Sequence, residues 1–237
     1  MNSRIEHADA MDWLSRQAPG SARVVVFDPP YSRSTPMRGR EDGAAGSVYE
    51  PFGFLHDALM LSARTLLAPA SPGQKTQFGQ AGSYGVVICF CDWELLPTLG
   101  RLTSMSGLRQ RTHLVWLQDK PGGGRLFRGD ADPVLTVSQH APDIIGGEHA
   151  PAAKNWIMAK VPHKPPHPYY KPPQLIEYIL RRVCRRGDVV LDPFAGSGSS
   201  RVAAEKLGLD LIWKGCDIDP AFAEMARPES KMTAHGL

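Results

Sequence analysis

Asp28-Pro29-Pro30-Tyr31 sets a carboxylate, two prolines and an aromatic ring in four consecutive positions. Taken alone, the tetrapeptide reads as a proline-stiffened turn with a local cap. Its residue types also suit one demanding chemistry. An amino group conjugated to a heteroaromatic ring is a poor nucleophile, because its lone pair is delocalised. A carboxylate and a backbone carbonyl can accept its two N–H bonds and hold the nitrogen towards tetrahedral geometry. The lone pair then points at an electrophile held in line. The prolines present one carbonyl rigidly, and the tyrosine ring can stack on a base. A base inside a duplex is out of reach, so the target has to be flipped out.

A second motif lies late in the chain. Val189-Val190-Leu191-Asp192-Pro193-Phe194-Ala195-Gly196-Ser197-Gly198 reads as a strand followed by a glycine turn, with a helix after it. The glycines let the backbone approach a ligand closely. Asp217 ends the next strand, about 25 residues after Asp192. That is near the roughly 20 expected for an acid that binds ribose hydroxyls. A nucleoside-containing cofactor fits this pattern. A dinucleotide fingerprint would need a third glycine where Arg201 stands, and a phosphate-binding P-loop would need a lysine after the turn; neither is present.

The elements around these motifs alternate. Arg23 to Phe27 is a short β-branched run that ends at the prolines, as a buried strand would. Further strands are predicted over Tyr84–Phe90, His113–Leu117, Asp188–Leu191 and Leu211–Cys216. Helices are predicted over Phe52–Leu67, Trp93–Leu102, Pro172–Val183, Ser199–Leu207 and Pro220–Ala226. The polar, glycine-containing stretches 32–50 and 69–83 read as long loops, the first of them mobile. Residues from about Ser138 to Pro168 are rich in His, Pro and Lys, with weak periodicity. Strand–helix alternation argues for an α/β domain with a mostly parallel sheet. Ligands in such sheets bind beyond the carboxyl ends of the strands, where both motifs fall.

The 237 residues are enough for one substantial domain, and 42% hydrophobic with 22% charged is ordinary for a soluble protein. No apolar run is long enough to span a bilayer, and Met1 to Leu14 lacks a secretory pattern. A cytoplasmic setting without membrane attachment is therefore expected. Cys89, Cys91, Cys184 and Cys216 form no CxxC pair and read as buried free thiols, with no metal site expected. The net charge of +3 permits nucleic-acid binding without requiring it. The arginines are clustered, however, and Arg33, Arg38 and Arg40 follow the first motif directly. They are expected to touch phosphate.

Together these motifs resemble the β-class of DNA amino-methyltransferases, in which D-P-P-Y precedes D-P-F-x-G-x-G. That order is a circular permutation of the one in which the cofactor motif leads. His167-Pro168-Tyr169-Tyr170-Lys171-Pro172 is similar to the family's H-P-x-x-K-P. Ile5 to Leu14, with Asp9-Ala10, resembles its opening segment, and Cys216-Asp217-Ile218-Asp219-Pro220 resembles its ribose-binding turn. Leu114-Val115-Trp116 with Lys120 resembles an internal strand and loop. The resemblance covers most of the chain outside 32–50, 69–83 and 138–166.

The resemblance implies a Rossmann-like fold, with helices on both faces of the sheet. It implies S-adenosylmethionine as cofactor and DNA as substrate. In the catalytic motif, Asp28 and the Pro29 carbonyl would grip the target amino group, Pro30 would stiffen the turn, and Tyr31 would stack on the flipped base. The cofactor would be held by Asp9, Ala10, Lys171, Asp192, Phe194, Gly196, Ser197, Gly198, Ser199 and Asp217. In this set Lys171 would meet the cofactor carboxylate, Phe194 its adenine and Asp217 its ribose; Asp9 is explained nearly as well as a helix cap. Members acting on N4 of cytosine usually carry Ser at the first catalytic position, so Asp28 favours N6 of adenine, with N4 of cytosine as the alternative. Ser199 stands where the family often has Thr, and Tyr169-Tyr170 replaces a commoner Thr-containing pair.

The segment left for target recognition, about 138–166, is short. A partner subunit, a homodimer or a short recognition site would resolve that. A separately encoded restriction endonuclease is a further expected partner. Competing readings are an RNA substrate, a non-catalytic DNA-binding protein that kept the fold, and a nicotinamide oxidoreductase. The missing third glycine and the intact D-P-P-Y argue against the last two.

Overall fold

The computed structural model describes residues 3–30, 50–67, 84–118, 129–139, 152–167 and 169–228. In chain order the elements are β1 (Arg4–His7), α1 (Ala10–Arg16), β2 (Val24–Phe27), α2 (Glu50–Thr65), β3 (Val86–Phe90), α3 (Leu96–Met105) and β4 (Arg109–Leu117). There follow β5 (Ala131–Ser138), β6 (Trp156–Met158), α4 (Pro173–Val183), β7 (Val189–Asp192), α5 (Ser199–Lys206), β8 (Ile212–Asp217) and α6 (Pro220–Met225). The strands form one eight-stranded sheet in the order β1-β8-β7-β2-β3-β5-β4-β6. β5 runs antiparallel to both of its neighbours, and every other pairing is parallel. The mostly parallel sheet expected from the sequence is therefore present, with one reversed strand.

The two faces of the sheet separate by alternation along each strand. Val25, Phe27, Val87 and Cys89 enter one core with Trp13 and Leu14 of α1, Leu55 and Leu59 of α2, and Leu99 and Leu102 of α3. Val24, Val26, Val86, Ile88 and Phe90 enter the other core with α4 and α5. This is the two-residue period of a strand covered on both faces. α4 contributes Leu175, Ile176, Ile179, Leu180 and Val183, an apolar stripe at helical spacing. Pro172 and Pro173 open it, where a missing N–H costs no hydrogen bond.

α1 ends against α2. The Arg64 Nη2 donates to the carbonyls of Leu14, Ser15 and Gln17 at 2.8–3.0 Å, satisfying the end of the shorter helix from outside it. Among the described residues no helix is long and apolar enough to cross a membrane.

Three strands depart from the sequence-based expectation. β5 was not expected, because Asp132 and Pro133 interrupt its apolar run. Pro133 is tolerated because it lies one residue beyond the last β3–β5 pair, Phe90 with Val134, so its missing N–H breaks no ladder on that side. β1 and β6 close the two edges of the sheet with four and three residues. Neither is long enough to show a period. β4 begins at Arg109, four residues before the expected start, and α3 runs Leu96–Met105 with Pro97 in its first turn. Residues 31–49, 68–83 and 140–151, which hold most of the three variable segments, lie outside the described residues.

Candidate active site

β2 leads through α2 to β3 on one side of the sheet, and β7 leads through α5 to β8 on the other. β2 and β7 are neighbours, so the chain diverges between them, and α2 and α5 lie on opposite faces. Such a switch point opens a crevice at the carboxyl edge. Asp28 directly follows β2, and Asp192 is the last residue of β7. Asp217 ends β8 and Asp9 lies two residues past β1. The topology thus gathers four acidic positions from the two ends of the sequence along one edge.

Asp28 is part of a buried ion pair. Lys171 Nζ donates to Asp28 Oδ2 at 2.8 Å, with the side chains 9% and 18% exposed. The same ammonium donates to the Tyr169 carbonyl at 3.2 Å and lies 5.5 Å from the centre of the Phe90 ring. Removing one partner of so buried a pair costs about 3–5 kcal/mol, against about 0–1 for a surface pair such as Arg186 with Asp210. Pro29 is buried and Pro30 half-buried beside it. Tyr31, Arg33, Arg38 and Arg40 lie outside the described residues.

The glycine turn is fixed from below and from the side. Gly196 and Gly198 have φ of +51° and +78°, a region that disfavours any side chain. Asp217 Oδ2 accepts from the Gly196 N–H at 2.8 Å, and its Oδ1 accepts from the Asp219 N–H at 2.9 Å. Burial raises the Asp217 carboxyl above its ordinary range, and these two donors hold it back.

Asp192 is deeper. Its Oδ1 accepts from the Phe194 N–H at 3.0 Å, and its Oδ2 accepts from the Ser200 hydroxyl, whose oxygen accepts from Trp213 Nε1 at 2.9 Å. Burial raises Asp192 to about 7, with the Ser200 and Phe194 hydrogen bonds opposing the rise. Both Asp192 oxygens are thus engaged in holding the turn. Phe194 stands edge-on to Phe27 and Phe54 at 5.4 and 6.0 Å. The Ser197 and Ser199 hydroxyls are 3.3 Å apart; burial raises the pKa of the Tyr170 hydroxyl, and Ser199 opposes the rise. Asp9 caps α1 by accepting from Met11 and Asp12, with Ala10 buried behind it.

Two residues join the site that the sequence reading left without a role. His167 packs edge-on against Phe222 at 4.3 Å, and its ring is the nearest neighbour a Cβ on Gly196 would meet, at 3.6 Å. Burial lowers its pKa, against the pull of Asp217 and Asp28. Its Nδ1 accepts from the Tyr169 N–H at 3.1 Å, which leaves the proton of the neutral ring on Nε2. Ile218, half exposed, follows Asp217 at the same edge. His167 was visible in the H-P-x-x-K-P pattern; Ile218 had only its place beside an acidic residue as a signal.

With this geometry in place, the comparisons with known proteins are specific. The profile of the N6/N4 DNA methylases matches residues 125–228. Type II methyltransferase M.HpaI of Haemophilus parainfluenzae is 38% identical over 96% of this chain and 74% of its own length. Type II methyltransferase M2.DpnII of Streptococcus pneumoniae is 24% identical over 94% of this chain and 87% of its own. Among solved structures, the M1.HpyAVI–SAM complex matches with a TM-score of 0.68 and 18% identity over 98% of this chain and 99% of that one. The cytosine-N4-specific PvuII DNA methyltransferase matches with a TM-score of 0.73 and 15% identity over 95% and 85%. These two likenesses establish the Rossmann-like methyltransferase fold. The chain belongs to the N6/N4 family of DNA amino-methyltransferases.

Proposed function

We propose that this protein methylates the N6 amino group of an adenine flipped out of DNA, with S-adenosylmethionine as methyl donor. The observation that carries the reading is the position of Asp28. Its carboxylate lies at the carboxyl end of β2, at the switch point, beside the glycine turn that ends β7.

The residues at that edge suit the cofactor. Asp217 offers a carboxylate to ribose hydroxyls, Phe194 and Ile218 offer apolar surface to an adenine, and Lys171 offers an ammonium. Gly196 and Gly198 carry no side chain of their own in the left-handed turn, so a ligand could approach the backbone there closely, beside the His167 ring. Asp9 and Ala10 follow β1, and Ser197 and Ser199 follow β7, at the same edge, and Asp192 acts by holding the turn. When bound, S-adenosylmethionine supplies an electrophilic methyl group; the nitrogen–carbon bond forms as the carbon–sulfur pair returns to sulfur. Asp28 and the Pro29 carbonyl accept the two N–H bonds of the target and turn its lone pair out of the ring. Water takes the proton that the methylated nitrogen must lose.

Adenine rather than cytosine is favoured by Asp28, since relatives acting on N4 usually have Ser there. Tyr31 is assigned to stacking on the flipped base, and Arg33, Arg38 and Arg40 to phosphate. The likeness to Type II methyltransferases supports a restriction–modification setting with a separately encoded endonuclease.

Asp28→Ala tests the assignment. Removal of one transition-state hydrogen-bonding group costs transfer about 100- to 1000-fold. Calorimetry should find S-adenosylmethionine affinity within about tenfold of the parent, a change of roughly 1.4 kcal/mol. Near-parental turnover in this variant would remove Asp28 from the mechanism.

A further inference from the structure

The segment 167–171 touches both halves of the site. At one end His167 lies over Gly196 and against Phe222. At the other, Lys171 holds Asp28. Between them the Tyr169 N–H donates to His167 Nδ1, and the Tyr169 carbonyl accepts from Lys171 Nζ. Pro172 and Pro173 then fix the backbone as it enters α4. The lysine is nine-tenths buried and its ammonium is aimed by three fixed groups: Asp28 Oδ2, the Tyr169 carbonyl and the Phe90 ring.

The resemblance implies only a cofactor contact for Lys171. The geometry points to a second task, which rests on the function proposed above. We propose that Lys171 is a positioning residue for the methyl acceptor. By holding Oδ2 it fixes the rotation of the Asp28 carboxylate, so that Oδ1 faces the target amino group. The aim of the acceptor is then set by the same segment that packs on the glycine turn. A displacement at either end of this segment reaches the other through the hydrogen bonds that Tyr169 makes with His167 and with Lys171.

A lysine that only binds cofactor and one that aims Asp28 behave differently. Loss of a cofactor contact raises KM and Kd for S-adenosylmethionine and leaves kcat at saturation unchanged. Loss of aim lowers kcat, and misplacing a reacting group by roughly 1 Å costs about a hundredfold. The test uses the full chain, labelled S-adenosylmethionine and unmethylated DNA, with Lys171→Met, Lys171→Arg, Asp28→Ala and the Lys171→Met/Asp28→Ala double variant. Cofactor affinity is measured by calorimetry, and transfer at saturation under single-turnover conditions.

The expected result is that Lys171→Met lowers transfer about a hundredfold while Lys171→Arg recovers at least a tenth of the parental rate. In the Asp28→Ala background, Lys171→Met should cost less than about threefold, because nothing remains to be aimed. Full multiplicative loss in that background would overturn the inference. So would an effect confined to KM. If Lys171→Met does not fold, Lys171→Arg and Lys171→Gln decide by the same comparison of kcat with KM. A parent chain that binds cofactor but transfers no label overturns the functional reading and this inference with it. An active parent with KM-only variants overturns the inference alone.

Discussion

Asp192 lies under the glycine turn with its carboxylate buried, and the energetic consequence can be signed. Its folded pKa of about 7 stands above the ordinary 3.8. The folded protein therefore binds this proton more tightly than the unfolded chain. The stabilisation is complete below about pH 4 and is lost as pH rises through about 7. Asp192→Asn keeps an acceptor for the Phe194 N–H and removes the titration. The variant should gain stability relative to the parent between pH 5 and pH 8. Urea midpoints at the two pH values check this, and an equal difference at both would contradict it. The four buried cysteines behave as expected of structural thiols, with burial pushing Cys91 and Cys184 up to about 12. At this scale the sequence showed which residue types were present but not their pairing. The contact between Lys171 and Asp28 spans 143 positions, and only the folded sheet brings them together.

The turn between β7 and α5 depends on backbone freedom at one residue above all. Gly198 has φ of +78°, and a Cβ there would sit 3.0 Å from Ala226 Cα. A left-handed conformation costs a side-chain-bearing residue about 1–2 kcal/mol before any clash. Gly198→Ala should therefore lower the unfolding free energy by at least about 1 kcal/mol and weaken cofactor binding, because α5 would be displaced from Ala226. Calorimetry with and without S-adenosylmethionine measures both effects, and an unchanged melting temperature would contradict the account. The elements that carry the site were legible for a physical reason. β2 and β7 are short, unbroken apolar runs that end at proline or acidic residues, and α4 and α5 follow clear start signals. β5 was hidden by Pro133. β1 and β6 were hidden because edge strands of three or four residues with exposed side chains carry no alternation to read.

Among the described residues the strands form a single sheet, and the proposed function divides the labour along one of its edges. In that reading β1, β8 and β7 bring the cofactor residues and β2 brings Asp28, while the reversed β5 separates β3 from β4 and the β6 edge. The motif order in sequence, Asp28-Pro29-Pro30-Tyr31 first and the glycine turn late, becomes adjacency in space because β2 pairs with β7. A short recognition segment fits a DNA substrate read with a second copy or partner, which we propose for this chain. The central claim concerns the atom that receives the methyl group. Purified protein should be incubated with labelled S-adenosylmethionine and unmethylated bacterial DNA, and the DNA digested to nucleosides and separated by chromatography. The account predicts label in N6-methyladenine. Label in N4-methylcytosine would contradict the reading of Asp28, and a failure to label DNA by protein that binds the cofactor would contradict the proposed function itself.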